Sequence, residues 1–225
     1  MSLGPARAGD VMSDFASQRK TMVDNQIRTV DVTDHAVIDA FSAVGREAFV
    51  PAEMRSLAYI DRHVQVAPGR FLMQPAPLAR LIQLAAPQPG ENVLIVGGNT
   101  GYSAAVVAEL GASVVMLEEN GDLAATAETA LAGRSVAVVR GALAAGCAGK
   151  GPYDLVLFDG SVELVPDAFL AQVAEGGRIA AIEGAGQTGR ATVTVKSSGT
   201  VSSRFAFNLP AMPLPGFAPA KEFAL

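Results

Sequence analysis

The sequence predicts an α/β fold built on a doubly wound, mostly parallel sheet. Between residues 91 and 183, five short apolar runs alternate with segments of helical length and composition. Strands that are apolar throughout are typical of parallel sheets covered by helices on both faces. Right-handed crossovers between such strands wind the chain in both directions across the sheet. We predict strands at 93–96, 114–117, 136–139, 154–158 and 178–182, and helices at 103–110, 123–131 and 165–174.

The part of the chain before this core is predicted to be largely helical. Apolar residues recur there at helical spacing, and Asp34 stands where it can cap the second helix. Prolines after the third helix stop it. Two intervening stretches read as extended segments. The predicted helices include 23–30, 37–44 and 78–84, and the extended segments are 58–61 and 64–66.

The C-terminal part changes character after residue 190. Two alternating segments flank a Gly-containing turn at 196–200, which predicts an antiparallel hairpin at one edge of the sheet. The tail that follows contains Pro210, Pro213 and Pro215, and we predict an extended surface segment for it. We expect one compact unit in three parts: an N-terminal helical and substrate-side segment at 12–90, the α/β core at 91–209 and the tail at 210–225.

The composition excludes several classes of protein. Seventeen Lys and Arg against 22 Asp and Glu give a net charge of −5, without the excess of cations that phosphate backbones require, so no nucleic-acid partner is expected. A single cysteine, Cys147, and two distant histidines, His35 and His63, predict neither a disulfide framework nor a metal site. No apolar stretch reaches the roughly 18 residues of a membrane span, and the start of the chain lacks a signal peptide. We therefore expect a cytoplasmic protein without a membrane partner.

Three predicted strand ends carry residues that suit a ligand. Open α/β sheets bind ligands at the carboxyl ends of their strands. The first strand runs into a Gly-rich loop at 97–101, the second ends at Glu118 and the fourth ends at Asp159. Glycines allow close backbone approach, and Glu118 is placed to accept hydrogen bonds from both hydroxyls of a ribose. The combination predicts a site for a nucleoside-bearing cofactor, while a loop without the G-x-G-x-x-G pattern disfavours a dinucleotide.

Structural readings of the same residues remain open at this point. The glycines Gly97, Gly98 and Gly101 would also serve a tight turn between strand and helix. Glu118 would also suit a solvated strand end, and Asp159 would also suit the N-cap of a helix.

Taken in order along residues 22–209, the sequence resembles the protein-L-isoaspartate O-methyltransferases, which use S-adenosylmethionine. The resemblance implies a class I methyltransferase fold of Rossmann-like topology, S-adenosylmethionine as cofactor, and methylation of isoaspartyl carboxylates in damaged proteins or peptides. The matching segments are Met22-Val23-Asp24-Asn25-Gln26-Ile27-Arg28, Phe49-Val50-Pro51, Ala58-Tyr59-Ile60-Asp61, Gln74-Pro75, the strand–loop–helix at 93–106, Pro152-Tyr153-Asp154 and Gly176-Gly177-Arg178.

The resemblance also implies site residues. It assigns a cofactor-binding set that includes Glu118 as the acid that holds the ribose, and a substrate-side set that includes Arg70. The cofactor-binding set is Gly97, Gly98, Asn99, Gly101, Glu118, Ala142 and Asp159, and the substrate set is Asp61, Arg70 and Met73.

Several family positions are occupied by other residues. The family loop Gln-Thr-Ile-Ser-Gln-Pro reads Arg70-Phe71-Leu72-Met73-Gln74-Pro75, so Met73 replaces the serine associated with catalysis. Asn99 replaces a glycine of the cofactor loop and Ile95 replaces an acid of the first strand. Ala142 replaces the aspartate that helps to hold adenine, and Asp159 replaces a threonine. The catalytic residue is therefore left unassigned, with Asp159 as a candidate.

These departures affect orientation more than reactivity. A carboxylate acceptor is already ionised at pH 7, so methyl transfer to it depends on positioning rather than on a general base. Loss of the serine hydrogen bond at Met73 costs roughly 1–3 kcal/mol of orientation. A carboxylate at Asp159 would repel an anionic acceptor, and we expect it to shift preference away from carboxylates.

Three functions remain in competition. The first is a methyltransferase of the isoaspartyl repair type, or a relative with a different acceptor. The second is a non-catalytic homologue that keeps the fold as a binding or interaction module. The third, a nicotinamide enzyme, is opposed by the roughly 90 residues that precede the glycine loop. The oligomeric state is left open by the sequence, with a monomer as the working expectation.

Overall fold

The computed structural model describes residues 8–184 and 188–217, with side chains from residue 15 onward. Its N-terminal part is helical as predicted, and Asp34 caps α2 by accepting from the backbone N–H groups of Ala36 and Val37. Within the residues described, no helix is long and apolar enough to cross a membrane. The elements are α1 (Ala8–Met22), a π-helical turn (Val23–Ile27), a 3₁₀ turn (Arg28–Val30), α2 (His35–Ala43), 3₁₀ turns (Arg46–Phe49 and Ala52–Leu57), β1 (Val64–Ala67), β2 (Arg70–Leu72) and α3 (Pro75–Ala85).

The predicted α/β core is confirmed as a seven-stranded sheet in the order β5-β4-β3-β6-β7-β8-β9. The first five of these strands are parallel, and β8 and β9 add the predicted antiparallel hairpin at one edge. The elements are β3 (Asn92–Val96), α4 (Tyr102–Glu109), β4 (Ser113–Glu118), α5 (Gly121–Ala130), β5 (Val136–Arg140), β6 (Tyr153–Val162), β7 (Val173–Glu183), β8 (Gly189–Ser197) and β9 (Thr200–Leu209), with 3₁₀ turns at Leu143–Ala145, Ala148–Lys150 and Asp167–Phe169.

The strand order places a switch point between β3 and β6. From β3 the chain runs outward to β4 and β5, then returns to the other side of β3 at β6. The carboxyl ends of β3 and β6 therefore border a crevice in which open α/β sheets bind ligands.

Two apolar layers cover the two faces of the sheet. Side chains alternate along β3, so Val93 and Ile95 join the layer formed with the N-terminal helices, while Leu94 and Val96 join the opposite layer. The opposite layer also contains Leu214, which follows the last strand of the sheet. The N-terminal helices thus share a core with the sheet, and the proposed division into three parts stays a prediction.

The predictions for two segments before the tail were wrong. Residues 165–174 contain a 3₁₀ turn rather than a helix, and the last two of them already belong to β7, because Val173 pairs with Tyr153 in the parallel ladder. Residues 58–61 form a turn rather than an extended segment. The hydroxyl group of Tyr59 there donates a short hydrogen bond to Glu47, and the carbonyl of Ala58 accepts from Arg46.

The tail was also predicted wrongly, since it is not a surface segment. Ala211, Leu214 and Phe217 are at most 7% exposed and pack against the sheet. Residues 211–217, which we call the C-terminal segment, are held to β6 by two hydrogen bonds. The N–H of Ser161 donates to the carbonyl of Met212 at 2.9 Å, and the N–H of Leu214 donates to the carbonyl of Ser161 at 2.8 Å. Residues 218–225 lie outside the described residues.

Candidate active site

Glu118, at the carboxyl end of β4, is the centre of a buried network. Its side chain is fully buried and accepts from both terminal nitrogens of Arg70, with each N···O distance at 2.7 Å. It also accepts from the backbone N–H groups of Asn99 at 3.0 Å and Asn120 at 2.9 Å. The reading of Glu118 as a solvated strand end is thus wrong, because both oxygens are satisfied by protein donors.

The glycine loop packs closely on this network. Arg70 donates a further hydrogen bond to the carbonyl of Gly97 at 3.3 Å. The Asn99 side-chain nitrogen donates to the carbonyls of Gly97 at 3.0 Å and Phe71 at 3.2 Å, which ties the loop to β2. Asn99 has a φ of 54°, a left-handed conformation that asparagine tolerates better than most residues with a side chain.

The side chain of Leu214 packs against two glycines, Gly97 after β3 and Gly160 within β6. A Cβ atom added to Gly97 would lie 2.6 Å from Leu214 Cδ2, and one added to Gly160 would lie 2.7 Å from Leu214 Cγ. Phe217 continues the contact, with its ring centroid 5.5 Å from that of Phe158. The C-terminal segment therefore closes one side of the crevice.

Asp159 lies within β6, so the N-cap alternative is wrong. Its side chain is 3% exposed, and Oδ2 accepts from the hydroxyl group of Ser103 at 2.7 Å. Burial raises the pKa of Asp159 to about 6, against the lowering effects of the Ser103 hydrogen bond and of the positive charges on Arg46 and Arg70. Oδ1 has no hydrogen-bond partner among the described residues. The site thus holds a carboxyl group whose pKa burial raises to about 6.

Met73, at the family serine position, is buried beside this cluster at 2% exposure. Its carbonyl oxygen accepts from the Arg46 guanidinium at 2.7 Å, and the same guanidinium donates to the carbonyl of Ala58 at 2.8 Å. Burial lowers the pKa of Arg46, and its Cζ atom lies 4.8 Å from the ring centroid of Tyr102. Arg46 therefore fixes the backbone that carries Met73.

Other predicted site residues contact different groups. Asp61 is exposed and accepts from the side-chain amide of Gln74 at 2.6 Å. Ala142 is exposed at the start of a 3₁₀ turn. Gly98 and Gly101 pack on other groups, because added Cβ atoms would lie 2.4 Å from Met116 and 2.7 Å from Leu131. No group of three or more potential metal ligands occurs among the residues described.

A hollow of about 330 Å³ opens beside Arg70 and Asn120, both of which donate hydrogen bonds to Glu118. This volume lies at the lower end of the range for small-molecule sites. It is lined by Pro68, Gly69, Arg70, Glu119, Asn120 and Pro213-Leu214-Pro215.

Sequence reasoning missed four residues that shape the site. Arg46, Ser103, Asn120 and Leu214 all contact predicted site residues. Ser103 and Asn120 each stand close in sequence to a predicted strand end, which is a usable signal. Arg46 and Leu214 reach the crevice from distant segments, and nothing in their local sequence indicates that contact.

Comparisons with known proteins agree on one family. Residues 17–211 match the family model described as Protein-L-isoaspartate(D-aspartate) O-methyltransferase (PCMT). A protein-L-isoaspartate O-methyltransferase of Methylorubrum populi is 39% identical over 171 residues, which cover 75% of this chain and 79% of that protein.

Two solved structures share the fold. One, a protein-L-isoaspartate O-methyltransferase, has a TM-score of 0.76 at 22% identity and covers 88% of this chain, while this chain covers 66% of it. The other, from Plasmodium falciparum, was described as a putative enzyme of the same name in complex with S-adenosyl-L-homocysteine. It has a TM-score of 0.76 at 18% identity, covering 87% of this chain and 97% of that chain. The predicted Rossmann-like architecture is thereby confirmed.

Proposed function

Because this chain belongs to the protein-L-isoaspartate O-methyltransferase family, we propose that it transfers a methyl group from S-adenosylmethionine to isoaspartyl carboxylates in damaged proteins or peptides. Family membership supports the reaction class, methyl transfer to a carboxylate. The geometry around Glu118 carries the assignment of the cofactor site.

The fit of a nucleoside to this site is supported by the way Glu118 is used. Its two oxygens receive two neighbouring N–H donors of Arg70 side by side, each at 2.7 Å. A ribose presents two neighbouring O–H donors, which match the same pair of acceptors. The hollow lined by Arg70, Glu119 and Asn120 adds space next to the end of β4, where such a ligand binds. The two acceptor oxygens of Glu118 fit the ribose hydroxyl groups once Arg70 turns away.

Under this proposal, Glu118 holds the ribose and the loop at 97–101 carries the remainder of the cofactor. The bound cofactor supplies an activated methyl group on a sulfonium centre. The chain orients the two substrates and excludes water. It need not accept a proton from the acceptor, because a carboxylate acceptor is already ionised. Met73 adds an apolar surface, and Arg46 fixes its backbone. Asp159 adds a carboxyl group that becomes more anionic as the pH rises through about 6.

The acceptor is the second part of the proposal. Asp159 in place of the family threonine supports weaker binding of an anionic acceptor, more so above its pKa than below it. Replacing Asp159 with threonine should therefore lower KM for an isoaspartyl peptide at pH 8 and change it less at pH 5. An unchanged KM at both pH values contradicts this role for Asp159.

We also propose a cytoplasmic, monomeric protein whose partner is a damaged polypeptide. The free thiol of Cys147 is half-buried, which suits a reducing compartment.

The test is transfer of a labelled methyl group from S-adenosylmethionine to an isoaspartyl peptide, with the aspartyl peptide of the same sequence as control. We expect transfer to the isoaspartyl peptide alone. Glu118→Gln should abolish it, whereas Glu128→Gln, at an exposed position of α5, should leave it unchanged. Cofactor binding without any transfer would favour the non-catalytic alternative, for which Met73 and the closure of the crevice by Arg70 and Leu214 are the specific observations.

A further inference from the structure

Two of the positions at which this chain differs from its family meet at one side chain. Arg70 stands where the family pattern has glutamine, and Asn99 stands where it has glycine. Both bond to Glu118, Arg70 through its guanidinium and Asn99 through its backbone N–H. The side chain of Asn99 also ties the glycine loop to Phe71, the residue after Arg70. A glycine would also present its backbone N–H to Glu118, so the two substitutions add the guanidinium of Arg70 on Glu118 and the side-chain bond from Asn99 that holds the loop to the strand carrying Arg70.

The geometry of the Arg70–Glu118 contact is that of a strong ion pair, with two N···O distances of 2.7 Å. The Arg70–Glu118 pair is bidentate, with side chains 6% and 0% exposed. Paired, charge-assisted hydrogen bonds of this kind are the stronger class in proteins, and burial removes the competition from water. Ribose hydroxyl groups are neutral donors, so they would replace a charged pair of donors with an uncharged one. Cofactor binding must therefore work against this ion pair.

We propose that Arg70 is a latch on the ribose-binding carboxylate, which a nucleoside cofactor must displace from Glu118 before it can bind. The inference rests on the proposed function, since it concerns the same cofactor site. The latch reduces the apparent affinity in proportion to the fraction of molecules in which Glu118 is free. Arg70 is a positioning residue in this account, because it acts through Glu118.

Leu214 forms the second part of the closed state. It lies against Gly97 and Gly160, the two glycine faces that border the crevice, and its N–H is bonded to Ser161. The backbone bonds hold the segment in place, whereas the side chain supplies the cover. A shortened side chain at this position should therefore open space above the glycine loop without releasing the segment.

The latch is tested by titration calorimetry with S-adenosylhomocysteine. Arg70→Gln, which restores the family residue, should lower Kd by at least about tenfold, as expected if fewer than about one molecule in ten has Glu118 free. Arg70→Lys, which keeps the charge but cannot bond in the same bidentate way, should give an intermediate Kd. Arg55→Gln, at an exposed position, is the matched control and should leave Kd unchanged.

Two further variants keep the test decisive if Arg70→Gln fails to fold. Asn99→Gly removes the tie between the loop and β2, and Leu214→Ala removes the cover. Each should lower Kd in the same direction, and circular dichroism checks the fold of every variant. The ligand-free Arg70→Gln protein should also unfold at a lower temperature, because Glu118 then loses its buried partner.

The outcomes separate this inference from the proposed function. An equal Kd for wild type and Arg70→Gln, with methyl transfer retained, overturns the latch and leaves the function intact. A higher Kd for Arg70→Gln also overturns it, and shows that Arg70 holds the cofactor instead. If no variant binds S-adenosylhomocysteine and none transfers a methyl group, both the latch and the proposed function fail.

Discussion

Replacing Asp159 with asparagine measures how strongly burial opposes a charge in the crevice. Burial raises the pKa of Asp159 to about 6, compared with 3.8 for an unperturbed aspartate. Between about pH 4 and pH 6 the folded protein therefore binds more protons than the unfolded chain. The stability that this protonation contributes is present in full below about pH 4 and is lost as the pH rises through 6.

The size of the effect follows from the two pKa values. A difference of about two pKa units corresponds to about 3 kcal/mol of unfolding free energy. Asparagine has nearly the same shape and no charge, so the asparagine variant lacks this loss. Its stability relative to wild type should therefore rise by about 2–3 kcal/mol between pH 4 and pH 8.

Urea unfolding at several pH values between 4 and 8 provides the measurement. The chain has no tryptophan, so the transition is best followed by far-UV circular dichroism. Asp39→Asn, at an exposed position of α2, controls for the substitution itself. If the difference between the Asp159→Asn protein and wild type stays flat across this range, or falls as the pH rises, then burial does not govern the ionisation of Asp159.

Three stability predictions follow from single contacts, each measured by urea unfolding at pH 7. Asp34→Ala removes the N-cap of α2 and should cost about 1 kcal/mol, whereas Asp34→Asn should cost less. Gly98→Ala places a Cβ 2.4 Å from Met116 Cγ and should cost about 1–3 kcal/mol, because Met116 must shift in a packed core. Phe217→Ala removes a buried ring packed edge-on against Phe158 and should cost about 3 kcal/mol. A neutral result for Phe217→Ala would mean that the C-terminal segment is not docked in solution.

Much of the core could be predicted from the sequence because its signals are local. Parallel strands covered on both faces are apolar throughout, and each of the five predicted runs lies within a strand of the sheet. Glu118 could be found in the same way, since strand ends in parallel sheets are where ligands bind. The acid and the glycine loop are indeed joined, through the bond from Asn99 to Glu118.

The errors arose where burial depends on distant partners. The C-terminal segment has two prolines in seven residues and no hydrophobic period, which is typical of an exposed tail, yet Leu214 and Phe217 are buried because the crevice offers apolar and glycine surfaces. Residues 165–174 have the composition of a helix, but the pairing of Val173 with Tyr153 takes precedence over helix propensity. In both cases the deciding contact joins segments that are far apart in the sequence or set by sheet register.

The network around Glu118 changes how substitutions at a site should be weighed. Read one at a time, Arg70 for glutamine and Asn99 for glycine each count as damage to a cofactor site. Arg70 supplies the positive charge beside a buried carboxylate that also accepts from the backbone N–H groups of Asn99 and Asn120, and a buried charge without a counter-charge is strongly destabilising. The asparagine is compatible with the loop because it tolerates the left-handed backbone at this position, where φ is 54°. Any free energy that favours the state with Arg70 on Glu118 must be overcome when the cofactor binds. Stability of the ligand-free protein and affinity for the cofactor therefore cannot be optimised independently. The number of altered positions is therefore a poorer guide to activity than the free-energy difference between the states with Arg70 on and off Glu118.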